Sequence, residues 1–269
     1  MCRTGDGYLT GGRDGKIKLW DAKFKNISNV NMAKAKGGYP DLWVRAVAAQ
    51  EDRILVGTHQ SEIFEILLRD RENPLSIVNG HGEGELWALA THPKKPLFAT
   101  GADDQTIRLW NSSEHRLLQV AKMEQWVRSV AFDAEGTLLA VGLANGAVTV
   151  LKVKDFTEVT HFRNRKRPIH ELKFGGDYLA VGCNDGAVDV YHVMQRFKLI
   201  GCCQASASHV THIDWSVDAK YLQLNTGAAE RFVFKIPGPI LFVNIVFPSR
   251  INFFSQTEHL TEGRLQYTE

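Results

Sequence analysis

Four cysteines in 269 residues, with no CxxC pair among them, give this chain neither a disulfide framework nor a cysteine metal knuckle. The vicinal pair Cys202-Cys203 does not alter that, and a reduced, cytoplasmic setting is the expectation. The opening Met1-Cys2-Arg3-Thr4-Gly5-Asp6 has no apolar core of a secretory signal. The sequons at Asn26-Ile27-Ser28 and Asn111-Ser112-Ser113 are therefore discounted as glycosylation sites. Long apolar runs are missing too. The longest, Ile240-Leu241-Phe242-Val243-Asn244-Ile245-Val246-Phe247, is far short of the ~20 residues that a membrane-spanning helix needs. Neither sign of charge dominates: the formal net charge is +2, with 23% charged and 44% hydrophobic residues. Such a balance argues against a disordered tail or a strongly nucleic-acid-binding chain and suits a globular one. No stretch of ten or more residues carries a 3.6-residue apolar period, which excludes a helical solenoid.

What is present is a repeat. A short alternating strand recurs as Ile17-Lys18-Leu19-Trp20, Ile63-Phe64-Glu65-Ile66, Ile107-Arg108-Leu109-Trp110, Val148-Thr149-Val150-Leu151, Val188-Asp189-Val190-Tyr191 and Arg231-Phe232-Val233-Phe234. Its spacings are 46, 44, 41, 40 and 43 residues. Each copy carries an earlier run such as Val127-Arg128-Ser129-Val130-Ala131-Phe132 and a middle run such as Leu138-Leu139-Ala140-Val141-Gly142. Period-2 alternation punctuated by Gly and Asp is the signature of short strands and tight turns. Four such strands in each unit of about 40–45 residues make the blade of a WD-type β-propeller, an all-β fold whose blades must stack to bury their apolar faces. About six blades are expected over residues 1–236. The first is read as incomplete, beginning at its second strand with Tyr8-Leu9-Thr10-Gly11. Residues 237–269 lose the pattern after Pro237-Gly238-Pro239 and are read as a divergent, poorly packed tail, with 240–247 as a candidate outer strand. These boundaries suggest a segment of a longer protein.

The motifs resemble those of the echinoderm microtubule-associated protein-like family, especially its long members with repeated propeller pairs. The resemblance is carried by Gly80-His81-Gly82-Glu83-Gly84-Glu85-Leu86-Trp87-Ala88-Leu89 followed by His92-Pro93-Lys94-Lys95-Pro96. Ile169-His170-Glu171-Leu172-Lys173-Phe174, Asn184-Asp185-Gly186-Ala187-Val188-Asp189-Val190-Tyr191 and His212-Ile213-Asp214-Trp215-Ser216 extend it over roughly residues 1–236. It implies the second of two joined propellers in a tandem, cytoskeletal localisation, and protein partners such as tubulin or microtubules. The family's HELP motif, which belongs to the first propeller, does not occur in this stretch.

The polar residues of the repeat have a structural reading. In the third copy His81, Thr100, Asp104 and Trp110 stand where WD blades form a hydrogen-bonded tetrad running from indole to hydroxyl to imidazole to turn carboxylate. Each such group left unsatisfied in a core would cost about 1–3 kcal/mol. Thr10, Asp14 and Trp20 repeat part of the pattern. A catalytic triad is the less economical reading of the same residues. Gly80-His81-Gly82-Glu83-Gly84 lacks the Lys-Ser/Thr of a phosphate loop. His209 and His212, the close histidine pair, fall on opposite faces of a strand and do not make a metal site. No catalytic residue, metal or cofactor is assigned, and the protein is read as not an enzyme.

Binding points to one rim. The entry loop Arg163-Asn164-Arg165-Lys166-Arg167-Pro168 is the densest basic run in the chain. It lies on the same rim as the first residues of the inner strands, Arg45, Trp87, Arg128, His170 and Thr211. Arg45, Trp87, Arg128, Arg163, Arg165, Lys166, Arg167 and His170 are the candidate interaction residues, with Glu83, Glu85 and Glu124 moderating the field. An acidic peptide or protein tail suits such a rim. RNA is the weaker runner-up, because aromatic–basic interleaving for base stacking is not visible, and the expected partners are proteins rather than nucleic acid. The reading is a non-enzymatic interaction scaffold. The alternative is a substrate-recruiting WD adaptor such as those of ubiquitin ligases, although Trp20-Asp21-Ala22-Lys23 has Lys where such adaptors carry Arg.

Overall fold

The structure is a computed structural model and describes residues 1–4, 7–32, 42–59, 61–204, 208–236 and 240–242. Six four-stranded sheets follow one another along the chain, each built from four consecutive strands. The first holds β1 (Cys2–Thr4), β2 (Gly7–Gly11), β3 (Lys16–Asp21) and β4 (Asn26–Asn31). The second holds β5 (Val44–Gln50), β6 (Arg53–Thr58), β7 (Ile63–Leu67) and β8 (Asp70–Val78). The third comprises β9 (Leu86–Thr91), β10 (Leu97–Ala102), β11 (Thr106–Asn111) and β12 (Arg116–Lys122). In the fourth are β13 (Val127–Phe132), β14 (Leu138–Leu143), β15 (Ala147–Lys152) and β16 (Glu158–Arg163). The fifth has β17 (Ile169–Gly175), β18 (Tyr178–Cys183), β19 (Ala187–His192) and β20 (Lys198–Gln204). The last has β21 (Val210–Trp215), β22 (Tyr221–Thr226), β23 (Arg231–Lys235) and β24 (Ile240–Phe242). No α-helix occurs among the described residues.

The first sheet differs from the expectation in one respect. Its leading strand is shortened rather than missing: Cys2, Arg3 and Thr4 pair with Leu9, Tyr8 and Gly7. Three residues are too few to display an alternation, so the sequence pattern gives no sign of them. At the other end Ile240–Phe242 pairs with β23 as the fourth strand of the last sheet. The rest of the tail, 237–239 and 243–269, lies outside the described residues.

The strands sort into two compact units, one of residues 1–86 and 102–124, the other of 87–101 and 125 onward. In the first unit Leu9, Ile17, Ile54, Val56, Phe64 and Ile66 form one buried cluster. In the second, β14 and β18 are buried on both faces, which is why they read as nearly unbroken apolar runs, and β15 and β19 are buried as fully although Thr149 and Asp189 interrupt them. Trp215 is fully buried there, and its indole N–H donates to the Lys173 carbonyl at 3.1 Å.

Two local devices recur and place the side chains that matter. The turn before the third strand is an Asx turn in which Asp14, Asp104, Asn145 and Asp185 accept the backbone N–H two residues on, at 3.2, 2.9, 3.0 and 3.1 Å. The residue after it is left-handed. Gly146 has φ of +88°, and a Cβ there would lie 2.3 Å from the Arg165 carbonyl oxygen. Gln105 holds the equivalent place with φ of +63°. The second device is a β-bulge at the start of the inner strand, where register shifts between Val44 and Ala46, Val127 and Ser129, Ile169 and Glu171, and Val210 and His212. Arg45, Arg128, His170 and Thr211 are thereby left out of the ladder.

Candidate protein-interaction rim

A bulged residue has no partner opposite it, and its side chain is re-aimed away from the sheet face. In the second unit the bulged Arg128 and His170 both lie against Trp87, the second residue of β9. The Arg128 guanidinium lies 4.6 Å from the centre of the Trp87 ring and 5.4 Å from that of Trp126. Both indoles are about half exposed, each at 47%. A cation over an indole face gains about 0.5–1 kcal/mol at an exposed site. The His170 ring stands 6.4 Å from Trp87 and 6.4 Å from His209. Burial first, then the nearby His209 and Arg128, holds His170 below the ordinary imidazole range, favouring its neutral form near neutral pH.

The entry loop divides. Arg163, Lys166 and Arg167 are exposed. Arg165 turns inward, hydrogen-bonds both carboxylate oxygens of Asp189 and reaches Asp185 at 3.3 Å. Hydrogen bonding to Asp189 raises its pKa further, so its charge is permanent and already neutralised. Arg45 is exposed in the first unit, where Arg13 also lies 4.3 Å over the Trp43 ring. Among the sequence-predicted rim residues, the second unit therefore brings together Trp87, Arg128 and His170, and Arg165 serves the fold instead.

The family model described as "Echinoderm microtubule-associated protein second beta-propeller" matches residues 86–241, and the model described as "WD domain, G-beta repeat" matches residues 3–21. The chain belongs to the echinoderm microtubule-associated protein family. It is 33% identical over 245 residues to echinoderm microtubule-associated protein-like 4 of Homo sapiens, which covers 88% of this chain and 24% of that relative. It is 34% identical over 239 residues to echinoderm microtubule-associated protein-like 2 of Mus musculus, covering 86% and 35% respectively. The chain thus spans a quarter to about a third of the length of these curated relatives. The fold is that of a WD-type β-propeller, with the six sheets as its blades.

Within this family framework, the polar cluster of the third blade is larger than the sequence indicates. His81 Nδ1 stands 2.9 Å from Asp104 Oδ2. The Thr106 hydroxyl donates to Asp104 Oδ1 at 2.7 Å and lies 3.2 Å from His81 Nδ1. Burial pushes the Asp104 carboxyl up, but hydrogen bonds from His81 and Thr106 outweigh it and hold it below the usual carboxylate range. Thr100 is buried on β10, and Trp110 is half-buried on β11. In the first blade the Trp20 indole N–H donates to the Thr10 hydroxyl at 2.9 Å. Arg108, fully buried, lies 3.8 Å from Glu62 and 3.8 Å from Asp104. Sequence reasoning missed Thr106, Arg108 and Glu62. A charged residue in an otherwise apolar strand, Ile107-Arg108-Leu109, was the available signal. It missed Trp126 as well, whose place immediately before an inner strand was the clue.

Proposed function

We propose that this chain is a non-catalytic interaction scaffold associated with microtubules in the cytoplasm, and that it docks acidic protein segments on the rim around Arg128. The observation that carries the reading is the Arg128 guanidinium held against two half-exposed indoles, with Arg163, Lys166 and Arg167 exposed on the neighbouring entry loop. Family membership supports the microtubule association, since the relatives are named microtubule-associated protein-like. The polar trio His81, Asp104 and Thr106 is engaged within a blade, in keeping with structural rather than catalytic work. Acidic tubulin tails have the chemistry that such a rim accepts.

Each exposed ion pair contributes only about 0.2–1 kcal/mol, so binding must come from several charges and must weaken with salt over a Debye length of about 8 Å. The test is co-sedimentation with polymerised tubulin for wild type and for Arg128→Gln combined with Arg163→Gln, Lys166→Gln and Arg167→Gln. Arg165 is left intact because it holds Asp189. At least a tenfold loss in the variant, largest at low salt, is expected. Equal binding by both proteins moves the contact off this rim, and capture by a cullin adaptor without tubulin binding favours the ligase-adaptor reading.

A further inference from the structure

The third strand of each blade repeats one position, two residues before the residue aligned with Trp110. In sequence order it is Lys18, Phe64, Arg108, Thr149, Asp189 and Phe232. The alignment is also structural, since the register shifts at the same place in four blades, between Leu19 and Trp20, Leu109 and Trp110, Val150 and Leu151, and Val190 and Tyr191. Wherever this position is polar and buried, a partner meets it. Arg108 faces Glu62 and Asp104, the Thr149 hydroxyl lies 3.0 Å from His161 Nδ1, and Asp189 holds Arg165. Lys18 is the exception: it is half-buried and makes no ion pair among the described residues, and neither do Lys16 and Arg13.

These three cations line one open cavity of about 410 Å³ within the first unit, together with Trp20 and Thr10. Asp14 is the single carboxylate in its lining, and its Oδ1 already accepts the Lys16 backbone N–H at 3.2 Å. Lys16, Lys18 and Trp20 alternate along β3 with the buried Ile17, so they share one face of the strand. Successive residues on one strand face are about 6.8 Å apart. The face therefore presents charge, charge and indole at a fixed step, and the indole is held in place by its bond to Thr10.

We infer that this face of β3 is a second docking site, separate from the Arg128 rim, for an extended acidic peptide with carboxylates at alternate positions and an apolar residue at the next alternate position. An extended segment repeats its side chains on one side at the same step of about 6.8 Å, so two carboxylates can meet Lys16 and Lys18 while an apolar group covers Trp20. Consecutive acids would point to opposite sides and satisfy one lysine at most. The molecule already uses the same complementarity internally, where Glu62, from the turn ahead of β7, faces the equivalent cation Arg108.

The experiment titrates the ¹⁵N-labelled full chain with three blocked peptides: Glu-Ser-Glu-Ser-Leu, Ser-Glu-Glu-Ser-Leu and Gln-Ser-Gln-Ser-Leu. The expected result is that the first shifts the Trp20 indole and the Lys16 and Lys18 amides, and binds at least fivefold more tightly than the second and third. Lys16→Gln/Lys18→Gln should lose that preference, while the Arg128 rim variant keeps it. Circular dichroism and the unchanged Trp215 indole resonance report that the lysine variant is folded; if it is not, Lys18→Gln alone is used. No shift at Trp20, equal binding of the first two peptides, or an undiminished preference in the folded lysine variant overturns the inference. Loss of the preference in the rim variant alone would assign the peptide to the rim instead.

Discussion

Position 108 in the first unit and position 189 in the second are the same place on a third strand, and they carry opposite charges. Both side chains are almost completely buried, at 0% for Arg108 and 2% for Asp189. A lone charge there would cost several kcal/mol, so each must import a counter-charge. The two solutions differ in where the partner comes from. Arg108 is met by Glu62, which is itself buried at 1%, and by Asp104 at 3%. Asp189 is met by Arg165, whose side chain keeps 19% exposure at the edge of an entry loop. One constellation is closed on all sides, whereas the other can open toward water. The lesson is that a buried charge at this position is compensated from whatever element lies nearest, and that at Asp189 the compensation takes one cation, Arg165, from the rim loop.

The comparison breaks most visibly at Arg108. Replacing it by Leu takes the buried cation from between Glu62 and Asp104, Asp104 keeping its bonds to His81 and Thr106, and a loss of about 3–5 kcal/mol is expected in urea unfolding. A loss below about 1 kcal/mol would mean that those carboxylates are not held by Arg108. The second unit should show an asymmetry instead. Arg165→Leu leaves Asp189 buried and should cost about 2–4 kcal/mol, whereas Asp189→Asn lets Arg165 swing out and should cost about 1–2 kcal/mol. Asp189→Asn should also tighten salt-sensitive binding of acidic peptides by returning a guanidinium to the rim; equal costs and unchanged binding would erase the distinction between closed and open.

The smallest effect concerns Glu171, an acid of the second unit whose nearest ion-pair contact is His212 at 3.6 Å. Burial pushes its carboxyl up to about 7, with Lys173 opposing. The folded state thus binds a proton more readily than the unfolded chain, where a Glu titrates near about 4.3. Stability associated with this group is full below about pH 4.3 and is lost as pH rises through about 7. Glu171→Gln should therefore stabilise the protein at pH 8 by about 1–2 kcal/mol, allowing for its partial exposure, and change little at pH 4.5. Thermal unfolding at the two pH values measures the difference; a variant less stable at pH 8 would show that the ion pair with His212 outweighs burial.

Blades and turns were legible because a period of two and the Gly/Asp punctuation are local properties of the chain. The Asx turns at Asp14, Asp104 and Asp185 could be read for the same reason, each being settled within three residues. The division of the basic loop could not. Arg163, Arg165, Lys166 and Arg167 look alike in sequence, and what separates Arg165 is Asp189, 24 residues away on β19. Arg108 hid for the converse reason, since its partner Glu62 stands in the preceding blade's turn and nothing in the local pattern connects them. The short β1 was invisible because three residues carry no period.

The bulge at the head of the inner strands has a consequence for how such a protein can change. Flanking positions Val44, Val127, Ile169 and Val210 are all β-branched and buried, while the bulged residues beside them are Arg45, Arg128, His170 and Thr211. Because the bulged residue takes no part in the ladder, its identity is uncoupled from strand register. Each of these four blades in effect offers one interchangeable letter, and a new partner can be tried by rewriting letters without touching the framework that displays them.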